Sequence, residues 1–366
     1  MLEFRNITKR YKGETALDDF SLQVEEKSFT VLCGPPQSGK SVLFRILVGL
    51  EKPDAGQVIL SGRDISNDPA ALRPLGYVPQ SFALYPHQTV EQNIAYPLTL
   101  ARKPKDEIAR RVARTAEILS CTHLLKKTPD QLSGGEKQRV AVARGLMKNA
   151  EVFVLDDPLV GLDYKLRERL MDELKSLREE LDVTFLYATS DSLEALTMAR
   201  RLAVVDAGRI IQYGAVDDVY HEPAHARSLD LIGFPHANLI GGRVVEGCLE
   251  AGPLRFAVRD VADGKEVTVG IRPEHIGLTE KVDAGEGWVP ARVTLVENLG
   301  GEVVVYVDAA GEPFTLALLA QNADNLDIDK PVAIRVDPAD ILLFDRESGE
   351  RLSATVSELQ KVGAAT

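Results

Sequence analysis

Hydrophobic residues follow two different periods along the chain, and these periods separate two kinds of element. Short apolar runs bounded by glycine and proline predict buried strands, whereas apolar residues spaced three or four apart predict helices. The predicted strands are Leu2–Ile7, Ser21–Val24, Phe29–Cys33, Glu151–Leu155 and Thr184–Ala188, followed by a hairpin of Leu202–Asp206 and Arg209–Tyr213. The predicted helices are Lys40–Leu50, residues 104–120, and the segment that carries Leu166, Leu170, Leu174 and Leu177. This alternation of strands and helices predicts an α/β domain over residues 1–235.

The pattern changes in a stretch rich in proline, glycine and histidine at 223–242. Beyond it, Gly, Pro, Asp and Asn separate short apolar runs, which predicts a small all-β barrel or sandwich over 236–346. The strands predicted there are Val267–Ile271, Ala291–Val296, Val303–Val307 and Val332–Val336. Residues 347–366 have little strand character, and we expect them to form a loosely ordered tail.

Composition narrows the classes of function. The 366 residues carry a formal net charge of −12, so the chain lacks the basic surface expected of a nucleic-acid binder or a membrane-surface binder. No apolar run is long enough to predict a membrane-spanning helix, and we expect no signal peptide. The three cysteines, at 33, 121 and 248, have no metal-ligand or paired spacing, which favours a reducing, cytosolic setting. Any role at a membrane is therefore expected to depend on a partner protein.

A glycine-rich segment between a predicted strand and a predicted helix has the spacing of a phosphate-binding loop, G-x-x-x-x-G-K-[ST]. Backbone N–H groups can surround phosphate oxygens, Lys40 can neutralise them, and the hydroxyl of Ser41 can bind Mg²⁺. Asp156, at the end of a later apolar strand, is expected to supply a second Mg²⁺ contact. A glycine-rich turn and a strand-end cap are the alternative interpretations. The candidate loop residues are Gly34, Pro35, Pro36, Gln37, Ser38, Gly39, Lys40, Ser41 and Val42.

A second segment, L-S-G-G-E-K-Q-R at 132–139, resembles the signature motif of ABC transporter ATPases. A serine, two glycines and a helix N-terminus can together face the γ-phosphate of ATP. Ser133 and Glu136 also fit a capping box, and both interpretations can hold at once. The resemblance implies that the signature acts on ATP held by a partner subunit, through Leu132, Ser133, Gly134, Gly135 and Glu136.

The resemblance covers nearly the whole chain. It implies that Tyr11 stacks on adenine, although Tyr11 taken alone is equally compatible with packing. It also implies that Gln80 contacts Mg²⁺ and faces a membrane subunit, and that Asp163 is the aspartate of the D-loop. ATP and Mg²⁺ are the implied cofactors, and the implied Mg²⁺ ligands are Ser41, Gln80 and Asp156.

Three further segments refine the resemblance. Residues 81–98 are similar to the same region of maltose-type sugar importers, within an implied helical subdomain at 83–150. Residues 270–275 and 295–307 resemble the OB-type regulatory domain of these importers. In the phosphate loop, by contrast, Gln37 replaces a residue that is usually small, and Val42 replaces a threonine that reaches the α-phosphate.

Two hydrolytic positions also depart from the family pattern. The family places Glu directly after the strand-end aspartate, where this chain has Asp157, and it places His at the position of Ser190. A carboxylate one methylene shorter loses roughly 1.5 Å of reach, and a misplacement of about 1 Å can cost on the order of 100-fold in rate. Ser190 and Asp191 also fit a helix cap, with Asp191 and Glu194 as a capping-box-like pair.

Together these features predict an ATP-binding subunit of an ABC importer for a sugar or polyol, with glycerol as a candidate. We expect two permease subunits, which work with a solute-binding protein, to hold it at the cytoplasmic face of the cell membrane. Its own ATP site is expected to be degenerate, and its signature to complete the competent site of a different, intact ATPase. The alternatives are a homodimeric importer ATPase with slow hydrolysis, and a non-catalytic ATP-binding regulator that docks a partner through its C-terminal domain.

Overall fold

In the computed structural model, the chain divides into two compact units, Met1–Val216 and Asp217–Thr366. The structure describes residues 1–180, 183–281, 285, 287–323 and 326–359, and for 177–180 it describes the backbone alone. The side chain of Leu177 and the last part of the predicted tail lie outside the described residues. The predicted domain boundary after residue 235 and the predicted helical subdomain at 83–150 remain predictions.

The first unit has the predicted α/β architecture. Its strands are β1 Leu2–Tyr11, β2 Glu14–Val24, β3 Phe29–Cys33, β4 Ala55–Leu60, β5 Arg63–Asp64, β6 Leu75–Val78, β7 Val152–Asp156, β8 Thr184–Thr189, β9 Arg201–Asp206 and β10 Arg209–Ala215. Its helices are α1 Lys40–Val48, α2 Val90–Leu100, α3 Lys105–Ile118, α4 Gly134–Leu146, α5 Tyr164–Glu180 and α6 Ser192–Met198. Every strand and helix that the apolar pattern predicts in this unit is present, whereas β4 to β6 and α2 were not predicted. No helix among the described residues is long and apolar enough to cross a bilayer.

A six-stranded sheet, ordered β10-β9-β3-β8-β7-β6, carries the core of this unit. Every residue of β3, β7 and β8 is buried, which is typical of parallel strands covered on both faces. The rings of Phe29, Phe185 and Phe153 stack across these three strands, with centroids 5.4 and 5.5 Å apart. A four-stranded antiparallel sheet, β2-β1-β4-β5, shares one apolar core with α1 and the larger sheet.

The direction of the central strands places the site. β3, β8, β7 and β6 run parallel, so their carboxyl ends lie at one edge of the sheet. Cys33 at the end of β3 pairs with Thr189 at the end of β8, and Asp156 at the end of β7 pairs with Ala188. The segments that follow these four strands therefore meet, as expected for a ligand site in an open α/β sheet.

The second unit consists mainly of strands, as predicted. Its helices are α7 Val216–His221, which starts at the junction, and α8 Ala226–Leu231. Its strands are β11 Asn238–Val245, β12 Cys248–Ala251, β13 Leu254–Arg259, β14 Glu266–Ile271, β15 Ile276–Thr279, β16 Val289–Asn298, β17 Glu302–Ala309, β18 Glu312–Leu319, β19 Pro331–Val336, β20 Leu342–Asp345 and β21 Thr355–Ser357. They form two sheets, β20-β14-β11-β12-β13-β21 and β15-β19-β16-β17-β18, around one apolar core. The expectation of a loosely ordered tail is wrong at Thr355–Ser357, because this segment pairs with β13.

Candidate nucleotide site and partner surfaces

A cleft of about 600 Å³ opens at the edge where the parallel strands end. Of the predicted site residues, the cleft is lined by Tyr11, Pro36, Gln37, Ser38, Gly39, Lys40, Ser41, Val42, Gln80, Asp157 and Ser190. Gly34, Pro35 and Asp156 lie directly behind this lining, since each accepts a hydrogen bond from Lys40 or Ser41. Glu14, Thr15, Ala16 and Val160 also line the cleft. Sequence reasoning missed these four because no motif marks them.

Lys40, the first residue of α1, is held inside the phosphate loop. Its Nζ donates to the carbonyl oxygens of Gly34 at 2.7 Å and Pro35 at 3.0 Å, and to Ser38 Oγ at 3.1 Å. The residue is only 5% exposed. Burial lowers the pKa of Lys40, and the negative charge of Asp157 opposes this effect. The ammonium group therefore lies where an anion bound at the N-terminus of α1 would be neutralised.

Close backbone approach explains the composition of the loop. A Cβ at Gly34 would lie 1.9 Å from the carbonyl oxygen of Val205. Gly39 has φ 100°, and a Cβ there would lie 2.5 Å from the carbonyl oxygen of Ala16. Gln37 also adopts a left-handed conformation, with φ 68°. That conformation costs a non-glycine residue roughly 1 kcal/mol, which is a physical reason for glycine at this position.

Asp156 is the best-supported candidate ligand for Mg²⁺. Ser41 Oγ donates to its Oδ1 at 2.9 Å, and the hydroxyl of Tyr77 donates to its Oδ2 at 3.3 Å. Burial raises the pKa of Asp156, whereas the two hydroxyl donors lower it. Asp156, Ser41 and Gln80 line a neighbouring cavity together, and their carboxylate, hydroxyl and amide oxygens are hard ligands that fit Mg²⁺. Sequence reasoning missed Tyr77, because its contact with Asp156 depends on the pairing of β6 with β7.

The carboxylate of Asp157 is bound to the turn after β8. Its Oδ1 accepts from the backbone N–H of Ser190 at 3.2 Å, and its own N–H donates to the carbonyl oxygen of Ala188 at 3.0 Å. The residue has φ 45°, a left-handed conformation that Asp tolerates better than most residues. Burial raises the pKa of Asp157, and the charge of Lys40 opposes this effect.

A buried carboxylate supports the same turn from behind. Glu194 is 4% exposed and accepts from the hydroxyls of Tyr187 at 2.9 Å and Thr189 at 2.8 Å. Asp191 caps α6, as expected, by accepting from the N–H groups of Leu193 and Glu194. The predicted capping-box pair is wrong in its second half: the Asp191 N–H donates to Thr189 Oγ1, because the Glu194 side chain points to the buried hydroxyls.

Asp163 begins the helix that follows Asp157. Its Oδ1 accepts from the N–H of Leu166 at 3.0 Å, so Asp163 caps α5. One turn later, Arg167 forms an ion pair with Asp191, with Nη1 2.7 Å from Oδ2. This ion pair connects the first turn of α5 to the turn that carries Ser190. Sequence reasoning missed Arg167, because the two segments are separated by β8.

The signature residues form the capped N-terminus of α4 and are not among the described residues that line the cleft. Ser133 Oγ accepts from the N–H of Glu136 at 3.3 Å, and the Ser133 N–H donates to Glu136 Oε2 at 2.7 Å, which is the predicted capping box. Leu132 is buried. A Cβ at Gly135 would lie 1.9 Å from Leu166 Cδ2, whereas a Cβ at Gly134 would meet nothing within 4 Å in the described part of the chain.

Tyr11 lies at the mouth of the cleft with an accessible ring. It is the last residue of β1 and pairs with Glu14 across the hairpin. Its hydroxyl donates to Glu51, and Lys9 Nζ lies 5.4 Å from the ring centroid. The residue is 38% exposed, so a base could stack on its ring.

A second cavity, a groove of about 840 Å³, shares Ser41 and Gln80 with the cleft. Tyr85 and Tyr96 line it with ring centroids 4.6 Å apart, and the Arg144 guanidinium lies 5.4 Å from the Tyr85 centroid. Buried Asn93 fixes this wall, because its side chain accepts from the Tyr85 N–H at 2.8 Å and donates to the Tyr85 carbonyl oxygen at 3.1 Å. The segment 81–98 therefore presents aromatic rings beside Gln80.

Comparisons with known proteins agree with this geometry. A family model described as ABC transporter matches residues 17–160, and one described as TOBE domain matches 269–344. The chain is 37% identical to the trehalose/maltose import ATP-binding protein of Thermococcus litoralis, over 95% of this chain and 98% of that protein. It is also 37% identical to the sn-glycerol-3-phosphate import ATP-binding protein of Ruegeria pomeroyi, again over 95% and 98%. A solved dimeric ATP-binding cassette with ADP and phosphate in a post-hydrolysis state matches with TM-score 0.55 and 30% identity, over 59% of this chain and 99% of that one.

Proposed function

We infer that this chain, which belongs to the ATP-binding subunits of ABC transporters, binds Mg-ATP in its cleft and energises the import of a sugar or polyol. The names of two relatives specify trehalose/maltose and sn-glycerol-3-phosphate, which favours a small hydroxylated solute. Glycerol, the candidate from the sequence, stays a prediction. The subunit would lie at the cytoplasmic face of the cell membrane by attachment to two permease subunits, which receive solute from a solute-binding protein.

The binding half of the cleft supports ATP as the ligand. The N–H groups of the loop and of α1 would hold the phosphates, and Lys40 would neutralise them. Bound Mg²⁺ would offset negative charge on the phosphates, and Ser41, Gln80 and Asp156 would hold it. Tyr11 would stack on adenine at the mouth of the cleft.

The hydrolytic half supports a degenerate site, and one observation carries this proposal. The carboxylate of Asp157 is bonded to the Ser190 N–H, and Ser190 offers a hydroxyl where the family places an imidazole. A shorter carboxylate that is held by the turn is poorly placed to orient an attacking water. We therefore propose that ATP binds here and is hydrolysed slowly.

The signature supports a role at a second ATP site. Ser133 and Glu136 form the capping box at the start of α4, and the space over Gly134 is open in the described part of the chain. A matched relative is dimeric, with ADP and phosphate bound. We propose that this tip completes the competent site of a different ATPase, one with Glu and His in place, in a heterodimer.

The groove supports docking of a permease. Its aromatic wall of Tyr85 and Tyr96 lies beside Gln80, which also lines the nucleotide cleft. Aromatic residues with an adjacent cation are typical of protein-binding surfaces. We propose that a permease segment occupies the groove, so that nucleotide binding at Gln80 and movement of the permease are linked.

Reversion of the two altered positions tests the degenerate site. The isolated chain is expected to bind Mg-ATP, measured by displacement of a fluorescent ATP analogue, and to hydrolyse it slowly. A variant with Asp157→Glu and Ser190→His is expected to hydrolyse ATP about 100-fold faster, since it regains the reach and the imidazole. The single variants are the controls for each contribution.

Three outcomes would change the proposal. Failure of the chain to bind Mg-ATP would reject the nucleotide site itself. Rapid turnover by the isolated wild-type chain, equal to that of the double variant, would favour the homodimeric importer ATPase. The subunit masses of the purified transporter identify the partner ATPase. Two copies of this chain without a second ATPase would reject the heterodimer. A complex without permeases would favour the regulator.

A further inference from the structure

Tyr77 makes a contact that none of the motifs accounts for. It lies in β6, which pairs in parallel with β7 so that Tyr77 is opposite Val154, two residues before Asp156. This register brings its hydroxyl to 3.3 Å from Asp156 Oδ2, while Ser41 holds Oδ1. Both oxygens of the candidate Mg²⁺ carboxylate are thus held by hydroxyls, one from α1 and one from the sheet.

The Tyr77 side chain is well placed to act as a fixed donor. Its ring packs against the apolar core that α1 and the two sheets share, which limits its rotation. The hydroxyl donates a hydrogen bond to the Asp156 carboxylate.

We propose that Tyr77 is a positioning residue for the metal–nucleotide complex: its hydroxyl fixes the plane of the Asp156 carboxylate. With Ser41 alone, the carboxylate could rotate about its Cβ–Cγ bond while keeping one hydrogen bond. The second donor removes that freedom before the metal binds, as hydrogen bonds to metal ligands commonly do. The inference rests on the proposed binding of Mg-ATP in this cleft.

Tyr77→Phe isolates the hydroxyl, because the phenylalanine ring keeps the packing. The free Mg²⁺ concentration for half-maximal enhancement of ATP binding is expected to rise about 3- to 10-fold, less than the largest such effects because the bond is long. ATP binding in EDTA is expected to stay at the wild-type value, since the Tyr77 hydroxyl donates to the proposed metal ligand Asp156 and not to the phosphate loop. Titration of Mn²⁺ with ATP, followed by electron paramagnetic resonance, measures metal binding directly.

Tyr213→Phe is the matched control. Tyr213 packs against the same core, and its hydroxyl is buried without a hydrogen-bond partner among the described residues. The same loss of one hydroxyl is expected to leave the metal dependence unchanged there.

The possible outcomes distinguish a failure of the positioning role from a failure of the proposed function. An unchanged metal midpoint in Tyr77→Phe overturns the positioning role, as does a parallel loss of ATP binding in EDTA, which would indicate a structural role alone. A wild-type chain that binds no ATP, with or without Mg²⁺, would overturn the proposed function and the inference with it.

Discussion

The nucleotide cleft and the signature tip belong to the same unit but are built in opposite ways. Lys40 in the cleft and Asp156 directly behind it are 5% and 3% exposed, and both make hydrogen bonds within the chain. At the tip, Ser133 and Gly134 are exposed and are held by a single capping box. The residues that we propose to hold phosphate and metal are buried and fixed within the chain, whereas the residues that we propose to serve a partner are exposed.

The largest expected effect is a loss of ATP binding when a residue of the cleft is replaced, but not when a residue of the tip is replaced. Lys40→Ala is expected to weaken ATP binding by the isolated chain about 10- to 150-fold, because a charge-assisted hydrogen bond to phosphate is worth about 1.5–3 kcal/mol. Ser133→Ala is expected to leave that binding unchanged, because Ser133 does not line the cleft in the described part of the chain. Displacement of a fluorescent ATP analogue measures both.

The assembled transporter gives the reciprocal result. There, Ser133→Ala is expected to lower ATP turnover at the partner's site more than Lys40→Ala does. Equal losses of ATP binding in the two isolated variants, or equal losses of turnover in the transporter, would contradict the division between cleft and tip.

The second prediction uses neighbouring glycines at the tip. Gly135→Ala is expected to lower the free energy of unfolding by about 2 kcal/mol, because the new methyl group overlaps Leu166. Gly134→Ala is expected to leave it unchanged or raise it by up to about 1 kcal/mol, since the space there is open and alanine favours a helix. Urea denaturation of both variants measures the difference. A similar loss in both would mean that Gly134 is also needed for packing within this chain.

The sequence predicted the centre of the sheet better than its periphery, for a physical reason. β3 is a continuous buried run, so its apolar pattern defines its limits, and Phe29–Cys33 is both the predicted and the observed strand. β2 was predicted only from Ser21, because its first half alternates exposed and buried positions less regularly. β4 to β6 and α2 carry weaker apolar patterns, and their formation depends on pairing and packing with distant segments.

Some parts of the candidate site could be predicted from the sequence and others could not. The phosphate loop and the capping box at Ser133 are contiguous motifs, so their positions follow from the sequence. The contacts of Tyr77, Arg167 and Glu194 arise between strands and helices that are distant along the chain. Asp157 is intermediate: its identity is visible in the sequence, but its bond to the turn after β8 depends on the β7–β8 register.

The smallest expected effect is the difference in stability between glycine and alanine at Gln37 in the cleft, compared with the same difference at Gly134 in the tip. Gln37 has φ 68°, a conformation in which glycine is unstrained and alanine is not. We therefore expect Gln37→Gly to be more stable than Gln37→Ala by about 0.5–1 kcal/mol, although glycine loses more chain entropy on folding. This stability difference has the opposite sign at Gly134, where the alanine variant is expected to be at least as stable as the glycine protein. Urea denaturation of these variants in parallel tests both signs. A Gln37→Ala variant as stable as Gln37→Gly would mean that the loop relaxes out of the left-handed conformation, and that the cleft is less rigid than its hydrogen bonds indicate.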